Sequence, residues 1–157
     1  MIPDLKTSFA FQIRIDFKER VIMASPRGNR GYVPPTGGWV DGPRLKGKVL
    51  GYTGADWAWT RADGVLELNA HYMLEAEDGT PIYIQNKGYL YRHDGAGKII
   101  PGPGGPDMPH YFYITPTFDV AKGKHDWLTR TIIVGQGVRH TNPDHTMFTY
   151  YAVGAVG

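Results

Sequence analysis

Asp56, Glu67, Asn69, His71 and Asn86 sit close together in the middle of the chain, and their side chains are suited to moving or holding protons. An imidazole titrates near neutrality, at about pH 6.5, so a histidine beside a carboxylate makes a ready general acid or base. Asp56 and His71 fit that description as a cross-strand pair. Glu67 supplies a second carboxyl that burial would push upward. The same residues also admit a plain structural reading, with Asp56–His71 as a cross-strand ion pair and Glu67 as an ordinary strand carboxylate. Arg44, in DGPRLKG, could grip a substrate carboxylate through its planar fork, or could simply pair with Asp41 or Asp56. Tyr111, Tyr113 and Trp127 either line an aromatic pocket or fill the core.

Other chemistries lack their signatures. With no Cys there is no thiol nucleophile, thiolate metal site or disulfide. The histidines at 71, 93, 110, 125, 140 and 145 form no His-x-His or His-Glu-x-x-His pattern. His140, Asp144 and His145 share a turn and read as a solvated loop. PGPGGP lacks the Lys-Ser/Thr of a phosphate loop, and no Gly-x-Ser-x-Gly elbow occurs. The expectation is a site without metal or organic cofactor.

Alternation of apolar and polar residues dominates, and no useful segment has helical periodicity. Strands are expected over 8–17, 20–24, 44–51, 54–61, 65–76, 80–91, 110–118, 127–139 and 146–153. Between them run a long Pro/Gly-rich loop at 25–38, another at 95–110 that is mobile or folded over an opening, and a closing turn at 140–145. About nine strands need closure or stacking to protect their edges. The expected fold is therefore all-β, a single-domain antiparallel barrel over 1–157, closed or nearly closed, with nine to ten strands.

Asp63-Gly64 and Asp78-Gly79 are preferred centres of two-residue hairpin turns. Read that way, they place Asp56, His71 and Asn86 in one row across three strands, with Glu67 and Asn69 on the same face. Trp57, Trp59, Leu68 and Tyr72 then share the other face. Which face looks inward stays open: apolar-in is the usual arrangement, whereas a ligand-holding barrel has a mixed interior.

The 157 residues carry a formal net charge of +2, are 41% hydrophobic and 20% charged, and show no basic stripe, which argues against a nucleic-acid partner. No stretch nears the roughly 18 apolar residues of a membrane span. The N-terminal run MIPDLKTSFAFQIRIDF lacks a signal peptide's basic start, so a cytoplasmic location is expected. An apolar outer stripe would favour a homo-oligomer.

The run from Arg30 to Gly88, RGYVPPTGGWVDGPRLKGKVLGYTGADWAWTRADGVLELNAHYMLEAEDGTPIYIQNKG, resembles a bacterial and fungal family known as domain of unknown function 3237, or uncharacterised protein family 0311. The matching elements are Thr-Gly-Gly, Gly-Pro-Arg-Leu-x-Gly, Asp-Trp, Asp-Gly-x-x-Glu-Leu, Asp-Gly-x-x-Ile-Tyr and Asn-x-Gly, followed by YFYITPTFDV and WLTRTIIVGQG. The resemblance implies a β-barrel, and its polar positions fall on Arg44, Asp56, Glu67 and Asn86. Asn69, His71 and Thr129 depart from the family's usual Asp, Arg and Asn, which implies a substrate or reaction not shared by all members. Some relatives are linked to catabolism of aromatic compounds.

The resulting expectation is an enzyme: a lyase that decarboxylates or cleaves a small aromatic or phenolic carboxylic acid. Asp56, His71 and Glu67 would be catalytic, with Arg44, Asn69, Asn86, Tyr111, Tyr113 and Trp127 binding the substrate. The alternatives are an isomerase or hydratase of a small aromatic or polyketide-like molecule, and a barrel that binds a small molecule without catalysis.

Overall fold

The computed structural model describes residues 1–101 and 109–154. Its strands are β1 (Thr7–Phe17), β2 (Val21–Ser25), β3 (Gly28–Tyr32), β4 (Pro35–Asp41), β5 (Gly47–Asp56), β6 (Trp59–Thr60), β7 (Leu66–Ala76), β8 (Pro81–His93), β9 (Ile99–Ile100), β10 (His110–Asp119), β11 (Ile133–His140) and β12 (His145–Val153). Eight of them close an antiparallel barrel in the order β1, β12, β11, β10, β8, β7, β5, β4 and back to β1. β6 continues the line of β5 beside β7, the β2–β3 hairpin extends from β6, and β9 flanks β8.

The period-two pattern decides what faces inward. Phe11, Ile13, Ile15 and Phe17 of β1, Phe112, Ile114 and Phe118 of β10, and Phe148, Tyr150 and Ala152 of β12 are buried, while their neighbours alternate toward solvent. One end of the barrel is stoppered by a short 3-10 helix, Asp126–Thr129, whose Trp127 and Leu128 are buried. Phe11 meets Phe118 and Trp127 there edge-on, with ring centroids 6.1 and 6.5 Å apart. At the opposite end, Val33, Leu66 and Leu90 are only partly buried against the core.

Several expected boundaries move. The 25–38 segment is not a loop, since it supplies β3 and the start of β4. The expected strand at 127–139 begins instead as the 3-10 stopper. Residues 102–108 of the second long loop lie outside the described residues, and with them most of that expectation.

The register differs in a way that matters more. The Asp-Gly turns are three-residue loops, not two. Gly79 N–H donates to Ala76 O at 2.8 Å, Ala76 N–H donates to Thr80 O at 2.9 Å, and Gly79 has φ 87°. Gly64 repeats the pattern, with its N–H on Arg61 O at 3.1 Å, Arg61 N–H on Val65 O at 2.8 Å, and φ 93°. A type I turn followed by a left-handed glycine is the other common hairpin closure, and it shifts the pairing by one residue. A one-residue slip sends side chains to the opposite face. His71 therefore pairs with Gln85, while Asn86 and Asp56 both pair with Ala70.

Candidate active site inside the barrel

The inner face of β7 carries Leu68, Ala70, Tyr72 and Leu74, and that of β8 carries Ile82, Ile84 and Asn86. Asp56, at the end of β5, joins this row through Ala70. Tyr150 reaches in from β12. Gly135, its pairing partner on β11, makes room for the ring: a Cβ there would lie 2.8 Å from Tyr150 Cδ1 and 2.4 Å from Ile114 Cδ1. Gly88 yields space in the same layer, since a Cβ would come within 2.6 Å of Ile114 Cγ2. The result is a polar cluster of Asp56, Tyr72, Asn86 and Tyr150 set in an apolar lining.

Its chief feature is unmet hydrogen bonding. The Tyr72 hydroxyl, both polar atoms of the Asn86 amide and the Tyr150 hydroxyl are buried and have no hydrogen-bond partner among the described residues. Asn86 approaches Tyr150 closely enough to ease its phenol downward, but without hydrogen-bond geometry. Leaving a buried polar group unpaired costs about 1–3 kcal/mol, so groups set this way call for partners from outside the chain, water or a ligand. Burial raises the Asp56 carboxyl to about 6, and the backbone N–H of Asn69, donating to Oδ1 at 3.0 Å, partly opposes the rise. Desolvation also lifts both phenols well above the usual tyrosine range, with the Asp56 charge adding to it at Tyr72. Both phenols are therefore donors at neutral pH, while Asp56 can both give and take a proton.

The other expected residues lie elsewhere. His71 sits on the outer face, where Nδ1 meets the Tyr83 hydroxyl at 2.5 Å and Nε2 meets Asn69 Oδ1 at 3.0 Å. Gln85 Nε2 donates to the same Asn69 oxygen at 3.2 Å. Asp56 and His71 thus occupy opposite faces and form no pair. Glu67 is on the outer side too, between Trp59 and Tyr89. Trp57 is exposed and meets the Tyr32 ring at a tilt, with centroids 4.9 Å apart, and Trp59 lies under the Arg30 guanidinium, so neither tryptophan fills the barrel.

Arg44 belongs to the stoppered end, its guanidinium 4.3 Å above the Trp127 ring. A cleft of about 220 Å³ beside it is lined by Lys46, Glu77, Asp78 and His125. Tyr111 and Tyr113 are on the outside of β10, where Tyr111 stacks on Tyr91 at 4.8 Å above a groove of about 410 Å³. Among the described residues, no three His, Asp or Glu side chains converge as metal ligands would.

Tyr72 and Tyr150 escape the sequence reading. A signal for Tyr72 is present, because it is the polar exception on an otherwise aliphatic face of β7. Nothing comparable marks Tyr150 within TMFTYYAV.

Comparison with known proteins fits this architecture. The family model described as "Protein of unknown function (DUF3237)" matches residues 5–153. A "UPF0311 protein" of Rhodopseudomonas palustris is 31% identical over 148 residues, covering 90% of this chain and 94% of its own. The crystal structure of a β-barrel-like protein from Acinetobacter baumannii superposes with a TM-score of 0.83 at 28% identity, covering 98% of this chain and 99% of that one. A more distant relative, a "Hydroalkoxylation enzyme" of Penicillium herquei, is 29% identical over 101 residues, 64% of this chain and 52% of its own.

Proposed function

The chain belongs to the DUF3237 family, whose description assigns no reaction, and we propose from its inner cluster that it is an acid/base enzyme adding or removing an O–H group across a carbon–carbon double bond in a small aromatic molecule. The observation that carries this reading is Asp56, a half-buried carboxyl raised to about 6 at the edge of a cluster of buried polar groups that lack partners among the described residues. A carboxyl poised there serves as base and then as acid within one turnover. Asp56 takes the proton of a substrate hydroxyl, the oxygen bonds to one carbon of the double bond, and the proton is returned to the other carbon. Run backward, the same steps are an elimination. The distant relative's name describes an addition of this type, the transfer of an alcohol O–H onto an alkene, and supports the direction of the reading.

Decarboxylation of an aromatic acid draws less support. Its expected anchor, Arg44, is engaged with Trp127 at the stoppered end. A barrel that only binds its ligand is the rival from another class, and turnover separates the two. Hydroxyaryl alkenes incubated with the protein in deuterated water are expected to gain deuterium at the protonated carbon, and Asp56→Asn is expected to stop that incorporation. Incorporation at the native rate in Asp56→Asn overturns the assignment. Binding without any incorporation favours the non-catalytic barrel.

A further inference from the structure

We infer that the inner site takes an uncharged oxygen-bearing molecule, a conjugated ketone or a phenol, and that Tyr72, Tyr150 and Asn86 cradle the oxygen on which negative charge develops. The inference rests on the proton-transfer reading above and adds the class of substrate and the roles of three further residues. Two phenolic O–H groups and one amide NH₂ offer hydrogen bonds into the cluster, and the Asn86 carbonyl offers one acceptor. Donors without internal partners suit an oxyanion hole, since they need not break an existing bond to receive the charge.

Among the described residues, no cation acts on the carboxyl of this set. The upward shift of Asp56 comes from burial, opposed by one backbone hydrogen bond, with no charged neighbour contributing. Around the cluster the inner face presents Leu68, Ala70, Ile84 and Ile114. Arg139 lies over the Phe17 ring at 4.1 Å and donates to the His140 and His145 carbonyls. A substrate carboxylate entering here would lose its water without gaining a counter-ion, and would meet Asp56 as a like charge. A ketone or phenol meets neither penalty.

The chemistry closes with the atoms present. When Asp56 removes the hydroxyl proton and the oxygen bonds to the β-carbon of an unsaturated ketone, the electron pair of the double bond moves through the conjugated system to the carbonyl oxygen. The phenols and the amide hold that oxygen. Asp56 then returns its proton to the α-carbon, the carbonyl re-forms, and the protein is unchanged.

Calorimetric titration with two ligand pairs of matched shape tests this: 4-methylphenol against 4-methylbenzoate, and benzylideneacetone against cinnamate. The uncharged member of each pair is expected to bind at least about tenfold more tightly, a difference on the scale of one unpaired buried group. Tyr72→Phe, Tyr150→Phe and Asn86→Ala are each expected to weaken that binding by about tenfold, while Arg44→Ala leaves it unchanged. The two Phe variants remove a single oxygen, so loss of binding with an unchanged melting curve is not loss of fold. Equal or tighter binding of the carboxylates, no binding of either series, or dependence on Arg44 overturns the inference. Binding of the uncharged ligands without deuterium incorporation sinks the proposed reaction and leaves this inference standing. Asp56-dependent turnover of a carboxylate does the reverse.

Discussion

The two faces of β7 place polar groups a residue apart and treat them in opposite ways. On the outside His71, Asn69, Gln85 and Tyr83 satisfy one another in a single network at the surface of the barrel. On the inside Tyr72 and its neighbours Asn86 and Tyr150 are more deeply buried and have no hydrogen-bond partners among the described residues. Hydrogen bonds that close on themselves contribute stability, whereas buried groups left open subtract from it. The proposed function therefore assigns the histidine network to the fold, and the tyrosine–amide cluster with the Asp56 carboxyl to the chemistry.

Substitutions on the two faces should part company accordingly. The largest contrast is in turnover: Asp56→Asn is expected to lower kcat/KM by about 10²–10⁴, the usual contribution of a positioned acid/base group, while His71→Ala changes it by no more than a few-fold. Steady-state assays of the two variants decide the point, and a large loss in His71→Ala would return catalysis to the outer face. Next is the cost of opening the outer network. His71→Ala removes the hydrogen bonds to Tyr83 and Asn69 and is expected to destabilise the fold by about 1 kcal/mol in urea unfolding. On the inner face the sign reverses, since Tyr72→Phe and Tyr150→Phe each delete a hydroxyl without a partner and should leave stability unchanged or raise it by about 1 kcal/mol. The smallest effect is confined to acid. Hydrogen bonds from Thr80, and behind them His125, hold Asp78 down at about 2, so its contribution is present above about pH 4 and fades as pH falls through 2. Thermal melts of Asp78→Asn should match the native protein at about pH 2 and fall below it at about pH 5.

Asp56 and Asn86 stand out in the sequence by residue type, and the strands and the all-β barrel are legible there, because alternation and Asp-Gly pairs are local signals. Which face those two residues share is not. Asp-Gly closes both two- and three-residue hairpins, and Gly64 and Gly79 each adopt the left-handed conformation of the longer loop. Both turns slip by the same single residue, which detaches His71, Glu67 and Asn69 from Asp56 and brings Tyr72 in their place. Arg44 and Trp127 stand out in the sequence by residue type, but their stacking depends on how a 3-10 helix stoppers the barrel, and that is a tertiary event without a local signature. Tyr150 depends likewise on Gly135, its partner across the sheet.

The central claim is that Asp56 faces the barrel interior as a half-buried carboxyl without a charged partner, kept for proton transfer. An ordinary aspartate ionises near 3.8, and in this fold near 6, so the unfolded chain releases its proton first as pH rises. Burial of Asp56 therefore costs nothing below pH 3.8, costs progressively more from there to pH 6, and reaches about 3 kcal/mol above it, at roughly 1.4 kcal/mol per pKa unit. Unfolding of Asp56→Asn and native protein at about pH 4 and about pH 8 measures this directly. Near-equal stability is expected in acid and a more stable variant in alkali; a variant less stable than the native protein in alkali would mean that Asp56 is a paired structural carboxylate and contradict the claim.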